Sequence, residues 1–184
     1  MTTSIQDCAA ICRNQGTCMA FTYRIANGVQ LCTGYSAWIV VPGRILSDIG
    51  VFVNQDVLDM YGYKEDNEVG ILYNIVDVKM DQANASSTCT NKHTRLLKVD
   101  TTFKMSRLQI ITDGYFVLKQ DLRFYVAGVY SSQNWSYDGG TDMITSDIWS
   151  PGNPDPGQGH CVMLTPTGLA SVDCQQKLFS ICGT

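Results

Sequence analysis

The chain has no apolar run long enough to cross a membrane, no block of like charge and no motif that assembles a catalytic centre. A spanning helix needs about 20 consecutive apolar residues; here the apolar 45% is spread along 184 positions, which predicts a globular protein without membrane spans. Basic residues are too few to face phosphate, with 13 Lys and Arg against 17 Asp and Glu for a net charge of −4. That balance argues against nucleic acid or an anionic membrane as partner. There is no phosphate-cradling glycine loop, no His-Glu metal motif and no nucleophile–base–orienter arrangement, so nothing points to an enzyme. The two histidines, His93 and His160, are isolated and read as surface or hydrogen-bonding residues. Neither stands at finger-like spacing from a cysteine pair, and Cys8 and Cys12 are too far apart for the usual zinc knuckle. Internal repeats and low-complexity segments are missing too. Met1-Thr2-Thr3-Ser4 leads straight into a cysteine-bearing helix pattern without a secretory leader, so the sequence reads as a mature fragment.

What the chain does have is eight cysteines in two even sets: Cys8, Cys12, Cys18 and Cys32, then Cys89, Cys161, Cys174 and Cys182. A long cysteine-free interval separates them, which predicts two independently stapled modules and an oxidising, extracellular setting. Asn84-Ala85-Ser86 and Asn134-Trp135-Ser136 are glycosylation sequons, consistent with secretion.

Taken in order, Thr3-x-x-Gln6 and Ser4-x-x-Asp7 are helix starts, and a helix over about 5–14 sets Cys8 and Cys12 one turn apart on one face. Cys18 to Tyr23 is strand-like, Ala26-Asn27-Gly28 turns, and Val29 to Cys32 returns. Trp38–Val41 and Ile49–Val53, split by Pro42-Gly43-Arg44, are expected to complete an antiparallel sheet. Residues 57–67 are polar with two tyrosines, Tyr61 and Tyr63, and form the expected linker or hinge. Beyond it, Gly70–Val76 reads as a buried strand, and 81–91 as a helix capped by Asp81. A second helix is expected over 102–112, with Met105, Leu108 and Ile111 on one face and Asp113-Gly114 as its stop. Tyr115–Leu118, Phe124–Ala127 and Val162–Leu164 then read as short strands.

Two resemblances emerge from these motifs. Ala85-x-x-x-Cys89, Arg95-Leu96-Leu97, Phe124-x-x-Ala127-Gly128, Asn134-Trp135-Ser136-Tyr137-Asp138-Gly139, Trp149-x-Pro151-Gly152-x-Pro154, Cys161-Val162, Cys174 and Phe179-x-Ile181-Cys182 stand in the order found in C-type lectin-like domains. The chain resembles that family over 68–184. The helix with Cys8 and Cys12, the loop to Cys18, the Ala20-Phe21-Thr22-Tyr23 strand and Cys32 after a hairpin resemble the core of a PAN/apple module over 1–56, although the strand that usually precedes the helix is not there. Together they imply an α+β protein: an antiparallel sheet with one helix, then a fold of two helices, short antiparallel strands and a long loop. Spacing alone leaves the disulfide connectivity open. The apple resemblance implies Cys8–Cys32 and Cys12–Cys18; the lectin resemblance implies Cys89–Cys182 and Cys161–Cys174.

Sugar-binding members of the lectin family hold calcium in the long loop with a Glu or Gln before a proline, an Asn or Asp after it, a later Glu, and the Asn-Asp of a Trp-Asn-Asp strand. By that resemblance Asn153-Pro154-Asp155 supplies the first element, with Asn153 and Asp155 as candidate metal ligands and a cis bond at Pro154. The later Glu falls on Gly159, and the triplet on Leu169-Ala170-Ser171. Calcium needs about six to eight oxygen ligands, and each carboxylate lost weakens it. No cofactor is therefore expected, with Asp147 and Asp173 as the nearby carboxylates that could stand in. The candidate ligand-binding loop is Trp149, Asn153, Pro154 and Asp155; Trp135, Tyr137 and Trp149 are expected as its core aromatics. Asp138-Gly139-Gly140 reads as a turn, not a metal site. The reading is a secreted, non-enzymatic recognition or adhesion protein with a glycan or extracellular protein ligand. Its rivals are a calcium-dependent lectin with a rearranged site and a structural matrix component.

Overall fold

The structure is a computed structural model that describes residues 5–14, 18, 20–26, 29–35, 49–53, 62–66, 68–118, 123–137 and 142–184. It divides the chain into two compact units, 1–74 with Thr184, and 75–183.

In the first unit, helix α1 (Ile5–Asn14) carries Cys8 and Cys12 on its buried face, one turn apart as the spacing requires. Cys8 is joined to Cys32 and Cys12 to Cys18; Cys8, Cys12 and Cys18 form a small buried cluster against which the partly buried Cys32 packs. Strands β1 (Ala20–Ala26), β2 (Val29–Tyr35) and β3 (Ile49–Val53) make a three-stranded antiparallel sheet in the order β2-β1-β3. Trp38–Val41, Pro42-Gly43-Arg44, the Asn27-Gly28 turn and Tyr61 lie outside the described residues. Inside the expected linker, β4 (Lys64–Asp66) pairs with the first residues of β5 (Ile71–Met80), beside a buried Tyr63.

The second unit is built on a mixed sheet in the order β10-β9-β7-β11-β5. Its members are β5, β7 (Phe124–Ser131), β9 (Cys161–Thr165), β10 (Gly168–Val172) and β11 (Leu178–Gly183). Two short strands attach to it, β6 (Arg95–Leu96) on β11 and β8 (Asn134–Ser136) on β7. The sheet departs from the all-antiparallel expectation where β7 and β11 run parallel, pairing Phe124 with Phe179 and Tyr125 with Ser180. Helix α2 (Gln82–Asn91) starts where expected, with the Asp81 carboxylate accepting from the Asn84 amide at 3.0 Å.

Helix α3 corrects the sequence reading. It runs from Thr102 to Leu118, so Asp113-Gly114 does not end it and Tyr115–Leu118 is helical, not a strand. A glycine stops a helix by turning left-handed, and once a helix is propagating its continuation costs little; Gly114 stays helical, and the β preference of Tyr-Phe-Val is overridden by context. Leu97, Val99, Leu108, Tyr125, Val126, Val162, Leu164, Leu169 and Ile181 fill the core. Cys89–Cys182 ties α2 to the last strand, and Cys161–Cys174 ties the start of β9 to the turn after β10.

Candidate functional site

The loop from Trp149 to His160 is long and irregular because its prolines and glycines refuse regular structure, yet it is braced along its length. Trp149 bridges in parallel to Leu169 on β10, and the Ser150 amide donates to the Leu169 carbonyl at 2.8 Å. The Ser150 hydroxyl donates to the same carbonyl at 2.9 Å and in turn accepts from Asn153 Nδ2 at 3.2 Å. Trp149 is half-buried and packs edge-on against the buried Trp135, ring centroids 5.1 Å apart.

The peptide between Asn153 and Pro154 is cis. Ser171 holds the chain on both sides of it. Its backbone N–H donates to Asn153 Oδ1 at 2.9 Å, and its hydroxyl oxygen accepts from the Asp155 N–H at 2.7 Å. Asp155 then folds onto its own turn: Oδ1 accepts from the Gly157 amide at 2.9 Å and Oδ2 from Gln158 Nε2 at 3.2 Å. All three side-chain oxygens that Asn153 and Asp155 could offer a cation therefore accept hydrogen bonds from within the protein. The position of the later Glu is Gly159, whose φ is +137° and whose backbone lies so close to Val172 that a Cβ would fall 2.2 Å from its carbonyl carbon.

The stand-in carboxylates do not repair the set. Asp147 is exposed and takes the Thr145 hydroxyl, and Asp173 is exposed and takes the Gln175 amide at 3.0 Å. Among the described residues no three His, Cys, Asp or Glu side chains gather as a metal-binding group. This donor set does not fit calcium, which needs several hard oxygens converging on one point. His93 and His160 are exposed and far apart in the chain, and Asp138-Gly139-Gly140 lies outside the described residues.

Tyr137 is buried and its hydroxyl donates to the Val99 carbonyl. Burial pushes that phenol well above the usual tyrosine range, helped by the negative charges of Asp100, Asp142 and Asp147. Lys98 lies over the Tyr137 ring and bridges Asp142 and Asp100; its hydrogen bond to Asp142, more than offsetting desolvation, raises its pKa. These contacts create no reactive group.

The sequence identified Asn153, Pro154, Asp155 and Trp149 as one loop, and the structure brings them together. It could not show that Ser171 clamps the loop, because a serine carries no signature of that role, nor that Tyr130 and His160 meet.

The profile of the family described as Lectin C-type domain matches residues 78–184. No curated protein matches the chain. Among solved structures, human lithostathine is 18% identical, with 66% of this chain and 95% of that one covered and a TM-score of 0.56. A calcium-independent C-type lectin from Saxidomus purpuratus is 17% identical over 67% and 91%, at a TM-score of 0.57. Herring type II antifreeze protein is 16% identical over 67% and 95%, at 0.55. At such identities the likeness concerns the fold.

Proposed function

Because the chain belongs to the C-type lectin domain family, we propose that it is a non-enzymatic recognition protein that binds a glycan or an extracellular protein without the family's usual calcium site. The observation that carries this reading is the Ser171 clamp: the loop that calcium would brace is braced by two hydrogen bonds from one serine that is 1% exposed. Four disulfides support secretion, since such bridges persist in oxidising compartments. Among the described residues no helix is long and apolar enough to cross a membrane.

Helix α1, its two disulfides and the three-stranded sheet support an apple-like module over 1–56, followed by a hinge over 57–67 and the lectin domain over 68–184. Asn84 and Asn134, both exposed, are proposed as glycosylation sites. Adhesion through such surfaces is the role we assign.

Thermal melting in calcium and in chelator tests the reading. Any ion that binds only the folded state must raise the melting temperature, by about 2.7 kcal/mol of stability at a hundredfold excess over Kd. The expected result is coincident curves; a calcium-dependent rise that saturates would establish the rearranged calcium lectin instead.

A further inference from the structure

The edge contact between Trp149 and Trp135 is the inner end of a longer ladder of rings. Trp135 meets Tyr130 at 5.2 Å, and Tyr130 meets His160 at 5.3 Å, both tilted. Burial is greatest at Trp135, 7% exposed, and falls outward from it to a half-buried Tyr130 and an exposed His160. The inner rungs serve the core. The outer two spend aromatic area at the surface, where packing does not need it.

Their backbone is held firmly. The Tyr130 N–H donates to the His160 carbonyl at 2.8 Å, the next residue is Cys161 of the Cys161–Cys174 bridge, and the preceding residue is the sterically enclosed Gly159. On the other side, β7 turns into β8 through Ser132 and Gln133, both at positive φ (49° and 65°), so the hairpin tip projects Ser131, Ser132 and Gln133 into solvent next to Tyr130. Neither 129–136 nor 156–160 contains a single Asp, Glu, Lys or Arg.

A fixed aromatic surface rimmed by hydroxyl and amide groups, with the carboxylates of Asp155 and Asp173 in the adjoining turns, suits one chemistry. The ligand must offer an apolar ring face to the aromatics and neutral hydroxyls to the rim; an anionic group would lose hydration there and meet those carboxylates. We infer that the ligand surface of this chain is the Tyr130–His160 patch, outside the Asn153–Asp155 loop, and that it takes a neutral pyranose of a glycan. This rests on the recognition reading above and selects a ligand class and a place for it.

The test uses the full oxidised chain. It is applied in chelator to an array of neutral, sialylated and sulfated glycans, and the strongest neutral glycan is then titrated by tryptophan fluorescence. Neutral glycans are expected to bind. Tyr130→Ala and His160→Ala should each weaken that binding about five- to tenfold, with His160→Ala leaving the melting temperature unchanged because its ring is exposed. Neutral binding undiminished in both variants overturns this inference and leaves the recognition function standing. A preference for anionic glycans, or no glycan binding at all, also overturns it, the latter pointing to a protein ligand. Binding that appears only with calcium sinks the calcium-free reading itself.

Discussion

Ser171 spans the cis peptide with two different groups, so its two contacts can be removed separately. Ser171→Ala leaves the Asp155 N–H without its partner, and Asn153→Ala does the same to the buried Ser171 N–H. Stranding a buried donor costs about 1–3 kcal/mol. Each variant should therefore lose stability of that order in denaturant melts, the double variant should lose less than the sum because one clamp is involved, and calcium should rescue neither. At Asp81 the relevant variable is pH. The Lys177 ammonium and then the Asn84 amide hold its carboxyl down at about 2 against an ordinary 3.8. A lowered carboxylate stabilises the fold fully above the higher value and ceases to do so as pH falls through the lower one. The contribution should fade between about pH 4 and pH 2, and Asp81→Asn should flatten that part of the acid-stability curve.

At the scale of elements, the end of α3 is the sharpest discriminator between sequence habit and structure. Carbon chemical shifts for 114–118 should be helical; extended values there would restore the strand that Tyr115–Leu118 suggests by composition. Elements whose signals are local were legible in advance. Helix α1 has its cysteine spacing, its expected caps at Thr3 and Ser4 lying outside the described residues, α2 has Asp81, and the β1–β2 hairpin has Asn27-Gly28 between two strand-like runs. Three features were not legible, the last two because the deciding partner is distant in sequence. Strand β10 is Gly-Leu-Ala-Ser-Val, buried throughout and so without alternation. The parallel pairing of β7 with β11 joins positions more than fifty residues apart. The meeting of Tyr130 with His160 depends on the register of β7 against β9, which shifts between Tyr125 and Val129. Gly159 shows the same dependence from the other side. Its need to be glycine comes from Val172, and Gly159→Ala should destabilise by more than about 2 kcal/mol, since both the positive φ and the backbone contact forbid a Cβ.

For the whole molecule, the two bridges of the lectin domain close loops of very different length. Cys89–Cys182 spans 93 residues and Cys161–Cys174 only 13. In the chain-entropy account the long loop contributes about 4–5 kcal/mol and the short one about 3, against a total stability of about 5–15 kcal/mol for a domain of this kind. Removing the first as a Cys89→Ala, Cys182→Ala pair should leave a marginal fold. Removing the second frees Cys161 beside His160 and Cys174, whose carbonyl receives the Gln82 amide at 3.0 Å where α2 begins. That pair should still fold cooperatively, but with the aromatic ladder loosened at its outer end and ligand affinity falling more than stability does. Denaturant melts paired with the fluorescence titration separate the two effects. The reverse ranking, with the short bridge carrying the fold and the long one indifferent to it, would show that Cys161–Cys174 staples the core and not the surface next to it.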